Sequence, residues 1–279
     1  MQDQTEQPAI RPDINMDELI IRINEMDAVF TRFNNQRSLV MDCRIKAKQF
    51  GDATALIDSN RPDSTYYNRV IGFTDKALHL LDNILKWYNE NQSACIFSLA
   101  PTQQTEKVLD AFKIKELCYN GHDCIFHAIP RESSLTLPEH ISIEQVTQDT
   151  LNDLFRLMET NNWPIKEAFC HQNRDFYTRP DFRFYLARVN GQVAAMGSIF
   201  IYKDMAWLSN DATADEFRRN GCQQLLIDHR LDVALRNGVY HVITDTEFGV
   251  TSHRNMLKNG FQLAYMTAEF IKQRPERKG

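Results

Sequence analysis

The stretch Asp211-Ala-Thr-Ala-Asp-Glu-Phe-Arg-Arg-Asn-Gly-Cys-Gln-Gln-Leu-Leu226 constrains this chain more than any other. It reads as the end of a strand, a tight turn carrying Arg218, Arg219 and Gly221, and a helix entered directly from that turn. The first amides of a helix have no intrahelical partner, and the helix dipole adds partial positive charge there. A phosphate docks at such a place with the help of few side chains. Gly221 lets the backbone come close, and the two arginines add charge. The apolar run from Val239 to Thr244 is the next strand. Two strands joined through one helix lie parallel in a single sheet, so this segment requires an α/β fold.

The other elements follow from periodicity and turn chemistry. In the C-terminal half, Ile141 to Val146 alternates as a first strand, Asp149 caps a helix through about Glu159, and Pro164 opens a helix around Lys166 to His171. Asn190-Gly191 joins strands Phe182 to Val189 and Val193 to Ile201 as a tight hairpin, and Trp207 to Thr213 continues the sheet. The helix after Gly221 stops at Asn237-Gly238, Ser252 caps the following helix, and Gln262 to Ile271 completes the sheet. In the N-terminal half, Leu19, Ile23, Met26, Phe30 and Phe33 form one stripe between Met16 and about Gln49, read as one long helix or as two broken near Asn34-Asn35, with Gly51 as the stop. A strand (Ser64 to Phe73), a helix (Thr74 to Asn89), a strand (Ala94 to Leu99), a helix (Thr105 to Ile114) and a final strand (Cys124 to Ile129) come next.

A chain of 279 residues exceeds one typical domain. The expected division is a disordered tail over 1–12, a first domain over 13–130, a turn-rich linker over 131–138 and a second domain over 139–279. The fold class is a mixed, twisted α/β sheet flanked by helices, in two similar lobes arranged in tandem. A net charge of −5 gives no bulk attraction to nucleic acid or to anionic membranes. The six cysteines show neither CxxC nor Cys/His ligand spacing, which argues against a structural zinc site and a disulfide scaffold. No apolar run reaches about 18 residues, and the polar N-terminus lacks the pattern of a leader, so the expected compartment is the cytosol.

Arg218-Arg219-Asn220-Gly221-Cys222-Gln223 resembles the Arg/Gln-x-x-Gly-x-Gly/Ala signature of the GCN5-related N-acetyltransferase (GNAT) family. Ser252-His-Arg-Asn255-Met-Leu-Lys-Asn-Gly260-Phe261 is similar to that family's second signature, an Asn-led helix closed by Gly-Phe. Three positions depart from the pattern: Gln223 replaces a small residue, Asp215 a proline, and Met256 the tyrosine that many members use as an acid. The N-terminal half resembles a degenerate copy, without the arginine-glycine turn after Phe73.

The resemblance implies acetyl-CoA as co-substrate, held by Ala212, Thr213, Ala214, Arg218, Arg219, Asn220, Gly221, Cys222, Gln223 and Asn255. It also implies that the strands beginning at Trp207 and Val239 splay, freeing amides near Ala212 or Thr213 for the pantetheine arm and for the oxygen that becomes negative during attack. An amine with a pKa near 10.4 is neutral in only about one molecule in a few thousand at pH 7, so a base or a relaying water is needed. Asp211, Asp245 and Glu247 stand at strand ends where a base would serve, and His253 and Tyr265 are the acids within reach of the motifs. Each has a structural competitor: turn carboxylates for the three acids, a helix-start residue for His253 and a core strand position for Tyr265. The expected activity is N-acetyl transfer to a small-molecule or protein amine, the acceptor being open among amino acids, polyamines, antibiotics and protein amines. A catalytically silent acyl-CoA-binding or regulatory protein, and a purely structural interaction module, are the alternatives.

Overall fold

The computed structural model of the protein describes residues 14–272, and the tail expected over 1–12 lies outside the described residues. Helix α1 (Met16–Gln36) is capped by Asn15, whose side chain accepts from the Glu18 amide at 2.9 Å. The helical reading to Gln49 fails after this point. Strands β1 (Ile45–Phe50) and β2 (Ala53–Asp58) form a hairpin around Gly51, whose φ is +62°. In β1 only Phe50 is buried, so this edge strand has almost no apolar period to read.

Strand β3 (Arg69–Ile71) is shorter than expected because Ser64 starts a turn, accepting from the Asn68 and Tyr67 amides. The helix expected from Thr74 is a 3-10 helix over Asp75–Leu80 and becomes α-helical only as α2 (Leu81–Glu90); β4 (Ile96–Leu99) and α3 (Glu106–Ile114, capped by Thr105) follow as expected. Two strands come next, β5 (Leu117–Gly121), which the sequence reading lacks, and β6 (Cys124–Ala128). The second half runs β7 (Ile141–Gln145), α4 (Leu151–Thr160), α5 (Glu167–Asn173), β8 (Thr178–Arg179), β9 (Phe182–Val189), β10 (Gln192–Tyr202) and β11 (Met205–Thr213). After β11 come α6 (Cys222–Arg236), β12 (His241–Thr246), α7 (Thr251–Lys258), β13 (Gln262–Met266) and β14 (Ala268–Lys272). The β9–β10 turn has φ +49° at Asn190 and +79° at Gly191, the left-handed pair that a two-residue hairpin demands. Helix α7 is preceded by Val250 rather than Ser252, which lies inside its first turn.

The strands form two sheets, ordered β1-β2-β3-β4-β14-β5 and β13-β6-β12-β11-β10-β9-β7, with β8 on β9. Each sheet borrows a strand. Strand β6, read from sequence as the last strand of the first half, lies between β12 and β13 in the second sheet. The run 262–271, read as one strand, is two, and β14 lies between β4 and β5 in the first sheet. The crossing points are tied together: the Thr267 amide donates to Asp123 O at 2.9 Å, and the Asp123 amide to Thr267 Oγ1 at 3.1 Å.

Helix α1 also crosses the boundary. Phe30 stacks on Phe200 and Trp207 at 5.0 and 5.9 Å, and Phe33 meets Phe182 edge-on at 4.8 Å, so α1 covers the second sheet beside α4. Its Ala28 packs against Leu56 and Ile71 of the first sheet. The opposite face of the second sheet is closed by α6, with Leu226, Ile227 and Leu231 against Ile199, Ala206 and Leu208.

Candidate active site

The centre of the second sheet opens. Strands β11 and β12 pair in parallel only at Met205–His241, Ala206–Val242 and Trp207–Ile243. Beyond Trp207, β11 stays on β10 as far as Thr213 while β12 stays on β6 as far as Thr246, so a wedge forms between them. The Ala214 amide donates to Ala194 O at 2.9 Å, which takes it out of the wedge. Strand alternation directs the Thr213 N–H to the opposite edge, facing the gap.

A bulge drives the parting. Asn210 and Asp211 stand opposite the single residue Gly197, and Asn210 has φ +58°. Arg230 of α6 fills the bulge and is fully buried. Its guanidinium donates to Ser198 O at 2.8 Å and Leu226 O at 3.0 Å, and it forms an ion pair with Asp211. A Cβ on Gly197 would lie 2.6 Å from the guanidinium carbon, so only glycine fits under it. Burial pushes the Asp211 carboxyl up and Arg230 opposes that. Asp211, a base candidate from sequence, thus holds Arg230 in place while its edge reaches the groove described next.

That groove, about 900 Å³, runs along the wedge to the start of α6. Gly221 is the residue before α6, with φ +78°, and a Cβ there would meet nothing within 4 Å. No side chain caps the helix, and the six amides from Arg219 to Gln224 donate to no group among the described residues. Six free donors in one turn, with Arg218, Arg219 and Lys258 on the groove wall, make an anion-binding geometry. Gln223, the departure from the small-residue pattern, does not plug the cradle. Its Nε2 donates to Ala212 O at 2.8 Å and Thr213 Oγ1 at 3.0 Å, tying the helix start to β11.

The structure gathers Ala212, Thr213, Arg218, Arg219, Gly221, Cys222, Gln223 and Asn255 around this groove. Asn220 is exposed beside it and Ala214 is turned into the core. The Cys222 thiol is buried and held above its ordinary range by that burial. Met256 is packed into the core, 4% exposed, and forms part of the groove wall. Glu247 is exposed on the β12–α7 loop and lines no described cavity. His253 also lines none: its Nδ1 accepts from the Gly249 amide at 3.1 Å, and its ring lies edge-on between Phe126 and Phe248.

Tyr265 and Asp245 face a second cavity of about 150 Å³ on the α1 side of the wedge. Asp245 accepts from Trp207 Nε1 at 3.0 Å and lies open to the cavity. Although its side chain stays accessible through the cavity, desolvation by the neighbouring protein, with the Asp123 and Asp27 carboxylates nearby, raises its carboxyl above the ordinary range. The Tyr265 phenol is likewise pushed up by burial. Sequence reasoning missed Lys258 at the groove, Arg230 buried under the bulge, and Asp27, Asp123 and Glu269 at the cavity. None of these belongs to a local motif; only packing brings them together.

Two lobes of this kind, sharing strands, define a tandem arrangement of GNAT folds. Similar solved structures include a GCN5-related N-acetyltransferase from Kribbella flavida, at 12% identity and TM-score 0.66 over 93% of this chain and 97% of that one. The tandem GNAT protein from the clavulanic acid biosynthesis pathway matches at 11% identity and TM-score 0.61 over 96% and 90%. A GCN5-related N-acetyltransferase from Sphaerobacter thermophilus matches at 12% and 0.60 over 80% and 81%. At such identities the likeness speaks for the fold. No curated protein matches the chain. The sequence agrees with the fold: residues 148–261 match the acetyltransferase (GNAT) family model.

Proposed function

We propose that this GNAT-family acetyltransferase moves the acetyl group of acetyl-CoA to a primary amine by direct attack in a ternary complex. The observation that carries the reading is the parting of β11 from β12 beside six unbonded amides at the start of α6. Acetyl-CoA supplies the activated thioester. The amides of Arg219 to Gln224, with Arg218, Arg219 and Lys258, hold its phosphates, and the open space over Gly221 admits them. The Thr213 N–H, turned into the wedge, orients the pantetheine arm or donates to the carbonyl oxygen as negative charge develops.

Asp245 is the base in this reading, because it stands on β12 just past Ile243, the last residue paired across the wedge, and opens into the α1-side cavity. A raised carboxyl pKa brings it closer to the working pH of a general base. Met256 has no proton to give and burial makes the Tyr265 phenol a weaker acid, so the departing thiolate, whose ordinary pKa is about 8.5, takes its proton from solvent. The catalytically silent alternative is the less favoured reading. The test is release of free thiol from acetyl-CoA in the presence of an amine panel, with coenzyme A affinity measured by calorimetry. Tight binding with amine-dependent thiol release is expected; absence of coenzyme binding would refute the cradle.

A further inference from the structure

The α1-side cavity lies where the two lobes exchange strands, and its chemistry is unlike that of the groove. Asp27 comes from α1, Asp123 from the crossing before β6, Asp245 from β12 and Glu269 from β14. The cavity's one cation is Arg69, 8% exposed, and it is already paired with Asp27 at 2.6 Å and bonded to Thr31 at 2.6 Å. Asp123, Asp245 and Glu269 have no ion-pair partner among the described residues. Asp245 accepts only from the Trp207 indole and Glu269 only from Asn120. Asp123 lies close enough to raise the proton affinity of each of the other three.

A cluster of carboxylates alone identifies no ligand. Here a second observation points to one. Tyr265, 7% exposed and on the cavity wall, has a hydroxyl with no hydrogen-bond partner among the described residues. The ring is buried while the hydroxyl keeps its donor and acceptor free, so it is available to a polar group that enters the cavity. The aromatic faces of Phe30, Tyr66 and Trp207 complete the lining, and such faces attract a desolvated ammonium.

We propose that this cavity is the acceptor site and that the acceptor is a short aliphatic di- or polyamine, carrying at least one ammonium group besides the amine that is acetylated. The inference rests on the acetyltransferase reading and names the substrate class of that same site. The second ammonium sits among Asp123, Glu269 and the Tyr265 hydroxyl, which places the reacting amine at Asp245 beside the wedge. At about 30 Å³ per water-sized group, the volume suits an unbranched amine arm of about five non-hydrogen atoms rather than a sugar ring. In the transfer, the amine nitrogen bonds the acetyl carbon as the C–S bond breaks. The nitrogen's proton passes to Asp245 and the thiolate leaves with coenzyme A, to be protonated by solvent.

The test compares butane-1,4-diamine and spermidine with butylamine, in thiol release and in direct calorimetry without coenzyme, for the wild type and for Glu269→Gln and Asp123→Asn. Expected is a kcat/KM at least about a hundredfold higher for the diamine than for butylamine, the order of discrimination that a retained close ion pair supplies. That ratio should fall at least about tenfold in each variant, through KM, while coenzyme A affinity stays at the wild-type value. Thiol release without preference for a second amino group, or a preference untouched by both variants, would overturn the proposal and leave the acetyltransferase reading standing. Loss of coenzyme binding would instead count against that reading. If no amine releases thiol, the calorimetry decides: diamine binding weakened in the variants supports the cavity assignment, and no diamine binding sinks it.

Discussion

Replacing Gly197 by alanine tests how the wedge is held open. The added Cβ would lie 2.6, 2.7 and 2.8 Å from the guanidinium carbon and terminal nitrogens of Arg230, closer than real Cβ contacts come. Arg230 has nowhere to retreat, being fully buried and bonded to Leu226 O, Ser198 O and Asp211. If the guanidinium stays and the strand shifts, overpacking of this kind costs roughly 1–3 kcal/mol. If it is driven out, Asp211 keeps its burial without its cation, a loss of roughly 3–5 kcal/mol. The expected destabilisation is therefore about 3 kcal/mol, which at roughly 2–4 °C per kcal/mol lowers Tm by about 6–12 °C. Thermal and urea unfolding measure it. A second variant, Arg230→Leu, separates the clash from any intrinsic effect of alanine, because the substitution at 197 should become nearly free once the guanidinium is gone. A cost below about 0.5 kcal/mol in the wild type, or the same cost in both backgrounds, would refute the account.

Other expectations follow from the same geometry. Gly221→Val points a side chain into the groove and should weaken coenzyme A by more than about tenfold. The forced left-handed backbone costs only roughly 1–2 kcal/mol of stability, so calorimetry and thermal unfolding together separate the two effects. Arg218→Ala should weaken coenzyme A more than pantetheine, since only the former carries phosphates; equal loss for both would be the contrary result. Asp245→Asn tests the acidic cavity through pH. Burial holds Asp27, Asp245 and Glu269 above their ordinary range, so between the unfolded and folded pKa values the native state binds the extra protons. Their contribution to stability is full below about pH 4 and is lost as pH rises through the raised values. The Asn variant should accordingly unfold at a higher temperature than wild type near pH 8 and at the same temperature near pH 4, as scanning calorimetry can read. A variant less stable at the higher pH would contradict the sign.

How much was legible in advance depended on how local the signal was. The Arg218-to-Gln223 turn and the Asn190-Gly191 hairpin each rest on residues a few positions apart, and their chemistry shows wherever the rest of the chain goes. The break near Asn34-Asn35 marks the end of α1, but reading helix beyond it to Gln49 was in error because β1 is an exposed edge strand without a buried period. Glu247 and His253 looked well placed by sequence distance from the motifs, yet one points to solvent and the other is clamped between two phenylalanine rings.

The sequence alone determined that the second half is an α/β unit and pointed to an anion cradle at one helix start, since a turn with glycine and paired arginines carries that signal in six consecutive residues. Only the tertiary structure decided that each sheet takes a strand from the other half, that Arg230 props the bulge opposite Gly197, and that Asp27, Asp123, Asp245 and Glu269 share one cavity. Carboxylates more than two hundred positions apart leave no periodic trace. Their meeting is set by strand pairing at the crossover of Asp123 and Thr267, which no local propensity encodes.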